Sequence, residues 1–218
     1  MIMIRRDTPK TGGMRKSMVE ELERKGFGNA AVREVMGRVP RHLFLDSAFE
    51  KFAYRDSAFE IGEGQTISRP ATVAQQSALL ETFPNAKVLE VGTGSGYQAA
   101  VLDGLGCSVY SIERQKNLYL KTRQLLSDLN TLVQCFYGDG YKGLPQFAPF
   151  DRILITCGAP FIPQELVGQL KVGGIMVVPV GDKEQIMTKV VKISETGVDI
   201  SEHGNCNFVP MLGKKAED

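Results

Sequence analysis

The sequence predicts an α/β fold, a mostly parallel sheet with helices on both faces and an antiparallel edge. Three observations lead there. Beyond Pro84-Asn85, short apolar stretches alternate with helical patterns, the arrangement that builds right-handed crossovers and a parallel sheet. The last apolar stretches, residues 175–180, 186–193 and 198–208, follow one another without long helices, as antiparallel neighbours do. Near the start of the alternating region, Val88-Leu89-Glu90-Val91-Gly92-Thr93-Gly94-Ser95-Gly96 runs an apolar strand into alternate glycines and then a helix.

The elements follow in order. Helical patterns open the chain over residues 14–25 and 29–38, parted by Gly26-Phe27-Gly28. Asn29 is a good N-cap, Val32, Val35, Met36 and Val39 recur on one face, and Pro40 ends the helix. Residues 41–67 keep no period and predict a long irregular loop, a kind of segment that is often functional in compact domains. Asp-Ser-Ala-Phe-Glu occurs there twice, at 46–50 and 56–60, which is too little for a repeat architecture. Pro70 suits the first position of a helix reaching about Leu80, with Ser68 or Arg69 near its cap. Strands are then expected at 87–91, 107–112, 132–136 and 152–156, and helices at 97–105, 115–129 and 163–170. The organisation expected is one unit, 1–218, in which residues 1–83 supply N-terminal helices and a loop and residues 84–218 the α/β core with its closing segment.

Composition narrows the function classes. In 218 residues the charged fraction is 23% and the hydrophobic fraction 43%, so neither a disordered nor a membrane-spanning chain is expected. Met1-Ile2-Met3-Ile4-Arg5-Arg6 is too short, and ordered wrongly, for a signal peptide, and a cytoplasmic chain is expected. A net charge of +1 gives no footprint for nucleic acid, and Arg5, Arg6, Lys10, Arg15 and Lys16 read as a solvated N-terminal arm. Cys107, Cys135, Cys157 and Cys206 form no C-x-x-C pair, so no metal site is expected and the thiols read as mostly buried. His42 and His203 are the only histidines, which weakens any hydrolase triad, and both read as packing or surface residues.

The glycine loop carries the chemistry. Glycine lets backbone turn tightly and approach a ligand without a Cβ between them, and the loop falls beyond the carboxyl end of a strand, where open sheets bind ligands. A dinucleotide fingerprint would place its third glycine one residue later, where Tyr97 stands, and no Gly-Lys-Ser/Thr follows to make a Walker loop. Glu113, ending the second strand, is placed to accept ribose hydroxyl protons. Asp139, between Gly138 and Gly140, reads equally as an adenine acceptor or as an ordinary Asp-Gly turn. Glu90, inside a strand, must be hydrogen-bonded and is expected to orient the loop or the charged end of the ligand. Tyr97, Tyr137 and Tyr141 either border the adenine or pack in the core.

Together, residues 88–96, Glu113 and Gly138-Asp139-Gly140 resemble the S-adenosylmethionine site of Rossmann-like methyltransferases. Gly64-Gln65-Thr66-Ile67-Ser68 with Pro70, ahead of that loop, resembles the protein-L-isoaspartate O-methyltransferase family, which initiates repair of isomerised aspartyl residues. The resemblance runs from Val39-Pro40-Arg41 through Ala159-Pro160, Ile162-Pro163 and Pro179-Val180-Gly181-Asp182 to Phe208-Val209-Pro210, with departures at Cys157, Gly158, Asn207 and Met211. It implies the Rossmann-like S-adenosylmethionine-dependent fold, S-adenosyl-L-methionine as methyl donor with S-adenosyl-L-homocysteine as product, and damaged protein or peptide substrates. It also implies that Ser68 is the essential serine and that Gln65, Thr66, Ile67 and Ser68 line the substrate, with Val209 and Pro210 closing over it. Glu90, Gly92, Thr93, Gly94, Ser95, Gly96, Glu113, Asp139 and Gly140 would then serve the cofactor.

A carboxylate nucleophile, with a pKa near ~4, is already ionised at neutral pH, so that reaction needs alignment and no general base. Ser68 accordingly fits a hydrogen-bonding role toward the carboxylate, alongside a helix-cap role ahead of Pro70. The competing readings are a methyltransferase of the same fold acting on a small molecule or RNA, an NAD(P)-dependent oxidoreductase, and an inactive binding domain. A monomer is expected, because one chain supplies the loop and both ends of the site.

Overall fold

The computed structural model describes residues 7–216. Helix α1 (Pro9–Arg24) begins with a capping box. The Thr8 hydroxyl accepts from the Thr11 amide, and the Thr11 hydroxyl accepts from the Thr8 amide. Helix α2 (Ala30–Met36) is capped by Asn29, whose side chain accepts the Val32 amide proton at 2.9 Å. Of the basic N-terminal residues, Arg5 and Arg6 lie outside the described residues, Lys10 and Lys16 are solvated as expected, and Arg15 corrects the expectation. Lys10, Arg15 and Lys16 stand on α1, and Arg15 turns inward to donate to the Gly37 carbonyl (2.8 Å), the Tyr54 hydroxyl (3.3 Å) and Asp7 (2.7 Å). A guanidinium with several acceptors is readily packed, which charge counting does not reveal.

Residues 41–67 are more regular than expected. Two 3-10 turns, Arg41–Phe44 and Ser47–Phe52, lead to an antiparallel hairpin of β1 (Phe59–Gly62) and β2 (Gln65–Ile67). Its turn residues Glu63 and Gly64 have φ of 55° and 65°, the two positive values that a type I′ turn requires. The repeated pentapeptide takes two conformations: Asp46 caps the second 3-10 turn through Ala48, whereas Phe59 and Glu60 enter the hairpin. Asp56 reaches across to accept the Ala71 amide proton at 2.9 Å, so it, and neither Ser68 nor Arg69, caps α3 (Pro70–Leu79) by side chain.

Strands β3 (Lys87–Val91), β4 (Ser108–Glu113), β5 (Gln134–Tyr137), β6 (Phe150–Ile155) and β7 (Leu170–Val180) alternate with α4 (Tyr97–Gly104), α5 (Lys116–Asp128) and α6 (Gln164–Gly168). β8 (Gln185–Lys192) and β9 (Val198–Cys206) close the sheet, whose order is β5-β4-β3-β6-β7-β8-β9, parallel through β7 and antiparallel beyond it. β7 starts earlier than expected, because Leu170 already pairs with Phe150 before the register shifts to Ile175 opposite Arg152. Burial alternates along the strands. Val88, Val109, Leu154 and Val177 face α1 to α5, while Leu89, Ile112, Ile153 and Met176 face α6, so helices cover both faces unevenly. The chain runs from β3 outward to β5 and returns to β6 on β3's other side, and the crevice at the carboxyl ends of β4, β3 and β6 is the switch point where such sheets bind ligands.

Candidate active site

At the end of β3 the backbone takes positive φ at Gly92 (97°), Gly94 (51°) and Gly96 (85°). A Cβ on Gly92 would lie 2.6 Å from Thr156 Oγ1, and one on Gly96 2.7 Å from Thr122 Cγ2, so both positions demand glycine twice over. Hydroxyls fix the loop from both sides: Thr122 donates to the Gly94 carbonyl (2.6 Å) and Thr156 to the Gly92 carbonyl (2.7 Å). Glu113 completes the clamp, Oε2 accepting from the Gly94 amide at 2.9 Å and Oε1 from the Gln115 amide at 2.8 Å.

Glu90 stands behind this loop. It is fully buried opposite Ser111 on β4; the Ser111 hydroxyl donates to it at 2.5 Å, and Ser111 Oγ lies 2.6 Å from Thr93 Oγ1. Burial pushes the Glu90 carboxyl up from its ordinary 4.5 to about 8, a rise opposed by the Ser111 bond and reinforced by the charge of Glu113. The protonated acid therefore supports the loop from inside the core.

Gly92, Thr93, Gly94 and Ser95 form one wall of a cavity of about 820 Å³, its open mouth included, with Glu113, Gly140 and the strand-end residues Val91, Ile112, Thr156 and Cys157 around it. The opposite wall is Gln65, Thr66, Ile67, Ser68, Val209 and Pro210. Glu90 and Gly96 do not line it; Gly96 instead packs on α5. Asp139 is also off the lining. Its two oxygens accept from the Tyr141 (3.0 Å) and Lys214 (2.8 Å) amides, so it fastens the C-terminal segment beside the cavity while Gly140 reaches the lining. Tyr97 is buried on the lining, Tyr137 donates to the Ala216 carbonyl, and Tyr141 donates to the Met211 carbonyl.

Ser68 occupies the junction of two spaces. A groove of about 1160 Å³ adjoins the cavity, and Thr66, Ser68, Thr156 and Val209 line both. The groove continues past Arg69, Gln75, Asn205 and Asn207, and Arg69 is the one charged side chain on its described lining. The Ser68 hydroxyl makes no hydrogen bond among the described residues, which removes the helix-cap role and leaves the group free. Val209 and Pro210 are pinned over the junction: the Gly158 amide donates to the Val209 carbonyl (2.8 Å) and the Met211 amide to the Gly158 carbonyl (2.7 Å). Gln185 holds the same segment through both main-chain groups of Phe208.

Several lining residues escape sequence reasoning. Thr156 and Cys157 could have been found from their place at the end of a parallel strand, and Arg114 from following Glu113. Arg114 is the one cationic side chain among the described lining residues. His42 is buried against Tyr54, Nδ1 to hydroxyl 2.8 Å, and His203 lies on β9, so no imidazole faces the cavity among the described residues. Of the thiols only Cys107 is fully buried, the other three being half-buried, which corrects the expectation of mostly buried cysteines. Burial, with the charge of Glu113 behind it, still pushes the cavity-lining Cys157 up to about 12, so it is a neutral thiol at physiological pH.

The model of the protein-L-isoaspartate(D-aspartate) O-methyltransferase family matches residues 14–216. The chain belongs to this family. A protein-L-isoaspartate O-methyltransferase of Flavobacterium johnsoniae is 53% identical over 211 residues, covering 96% of this chain and 99% of the relative. Another, of Cytophaga hutchinsonii, is 50% identical over 203 residues, covering 93% and 92%. Among solved structures, a protein-L-isoaspartate O-methyltransferase superposes with a TM-score of 0.84 at 26% identity, covering 91% of this chain and 66% of that longer one. A structure from Plasmodium falciparum, described as a protein-L-isoaspartate O-methyltransferase in complex with S-adenosyl-L-homocysteine, superposes with a TM-score of 0.79 at 22% identity, a likeness of fold. The glycine loop is therefore that of an isoaspartyl methyltransferase family member, and the oxidoreductase reading has no support among these matches.

Proposed function

We propose that the chain transfers the methyl group of S-adenosyl-L-methionine to the free carboxylate of L-isoaspartyl residues in damaged proteins and peptides, initiating their repair. The observation that carries this reading is the unbonded Ser68 hydroxyl at the wall common to the cavity and the groove. A small donor in the cavity and an extended peptide in the groove would meet there.

The cavity suits the donor. Two features fit it: the backbone of residues 92–95 on its lining, and the Glu113 carboxylate, whose oxygens each keep a lone pair beyond the amide bonds they accept. Glu113 would hold the ribose hydroxyls and Gly140 would meet the adenine, with Asp139 keeping that wall in place. Glu90, through Ser111 and Thr93, would set the height of the loop.

S-adenosyl-L-methionine supplies an electrophilic methyl already attached to its leaving group. The isoaspartyl carboxylate is ionised at neutral pH, so no residue of the chain needs to remove a proton. Its oxygen takes the methyl, and the electron pair of the broken carbon–sulfur bond returns to sulfur. The chain's part is alignment, worth up to about 7–11 kcal/mol when the reacting atoms are held in line. Ser68 donates a hydrogen bond to the second carboxylate oxygen; Gln65, Thr66 and Ile67 form the floor, and the fixed segment at Val209 and Pro210 closes over the peptide.

The remaining parts of the reading are a single catalytic unit, residues 1–83 and 84–218 acting together, and a monomer that acts in the cytoplasm without nucleic acid. One chain supplies both walls, the net charge is +1, and no helix among the described residues is long and apolar enough to cross a membrane. The test is a matched pair of peptides, one isoaspartyl and one aspartyl, offered with methyl-labelled S-adenosyl-L-methionine. Base-labile label on the isoaspartyl peptide alone is expected; label on neither rejects the function.

A further inference from the structure

Arg41 is fully buried, and among the described residues it has no ion-pair partner. Asp56 acts on it only from beyond ion-pair contact, and a buried cation held that way is expensive, so filling space does not account for it. Its fork reaches two main-chain carbonyls distant in sequence: Nε donates to Ala53 at 2.8 Å and Nη2 donates to Ser68 at 2.7 Å. The guanidinium also packs over Tyr97, Cζ lying 4.7 Å from the ring centroid, and Tyr97 lines the cavity. One rigid planar group thus links the end of the second 3-10 turn, the backbone of Ser68 and the first residue of α4.

Ser68 needs such a hold. Its hydroxyl is unbonded, it follows a strand of three residues, and the next residue, Arg69, is an N-cap without a side-chain cap bond. We propose that Arg41 is a positioning residue for methyl transfer, fixing the Ser68 backbone so that the hydroxyl stands where cavity and groove meet. This rests on the role given to Ser68 above. Lysine would not replace it, because a single ammonium on a flexible stem does not span two carbonyls while stacking on a ring.

A double-mutant cycle with Arg41→Lys and Ser68→Ala tests the inference. Arg41→Lys is expected to lower kcat for an isoaspartyl peptide roughly 10- to 100-fold, a loss typical of small misplacement. The KM for S-adenosyl-L-methionine and the calorimetric affinity for S-adenosyl-L-homocysteine should move by less than about threefold, since Arg41 touches neither the glycine loop nor Glu113. On the Ser68→Ala background the same change should add less than about threefold, because its route is already removed. A folded Arg41→Lys enzyme with kcat within about threefold of the parent overturns the inference. An equal loss on both backgrounds overturns it while leaving the Ser68 role standing; full turnover by Ser68→Ala removes both. If Arg41→Lys does not fold, an ester in place of the Ser68–Arg69 amide weakens the same carbonyl acceptor with Arg41 intact. The same loss of kcat is then expected, and unchanged kcat overturns the inference.

Discussion

The Glu113 carboxylate accepts the Gly94 amide proton at 2.9 Å, so the acid that ends β4 fixes the glycine loop that ends β3. Its other oxygen holds the start of α5 through Gln115. Glu113→Gln keeps the shape but sets an NH2 group against one of two amide donors. Leaving such a donor unpaired costs about 1–3 kcal/mol. The affinity for S-adenosyl-L-homocysteine, read by calorimetry, should fall roughly 10-fold or more, through the loop and through loss of the proposed ribose contact. Unchanged affinity would separate Glu113 from the cofactor.

Glu90 gives a pH-dependent stability. Its folded pKa, about 8, lies above the ordinary 4.5, so between those values the native state holds a proton that the unfolded chain has released. Stability therefore falls as pH rises through that window, and the burial penalty is fully present above it. Glu90→Gln, which cannot ionise, should flatten this slope. Thermal melts of both proteins between about pH 5 and 8 should diverge in the variant's favour as pH rises; parallel curves would show that Glu90 is not protonated in the folded state.

Gly96 and Gly173 provide a controlled pair. Both have positive φ, 85° and 81°, yet a Cβ on Gly96 meets Thr122 and Leu126 while one on Gly173 meets nothing within 4 Å. Gly173→Ala should lose only the strain of a left-handed alanine, about 1–2 kcal/mol. Gly96→Ala should lose at least about 1–3 kcal/mol more from overpacking. Urea unfolding of the two variants reads the difference directly, and equal losses would mean that α5 yields without cost.

The contrast between loop and hairpin shows what could be read in advance. The glycine loop is legible because each of its glycines is required by φ or by a neighbour, and such requirements leave a spaced pattern in sequence. The β1–β2 hairpin is not, because Glu63 occupies a position of φ 55° that Asn, Asp or Gly would normally announce. Glu113 and Ser68 stand on the lining as read, since strand ends and a distinctive loop place them there. Asp139 and Glu90 were legible as polar anchors but not by direction: Asp139 meets the Lys214 amide from 75 positions on, and Glu90 faces Ser111 across the sheet. Arg41 was legible only as part of the Val39-Pro40-Arg41 run, and its role was not, because that lies in the Ser68 and Ala53 carbonyls that only the folded chain brings to it.

The proposed methyl transfer turns on one free hydroxyl at the wall between cavity and groove, and removing it is the most direct measurement. Ser68→Ala should be turned over against an isoaspartyl peptide, with rates expressed per folded molecule and melting temperature recorded alongside. Because Ser68 Oγ makes no hydrogen bond among the described residues, the melting temperature should move by less than about 2 °C. kcat should fall roughly 100-fold, the loss expected when a carboxylate is no longer held in line. A variant that melts like the parent and keeps kcat within about threefold would contradict the assignment.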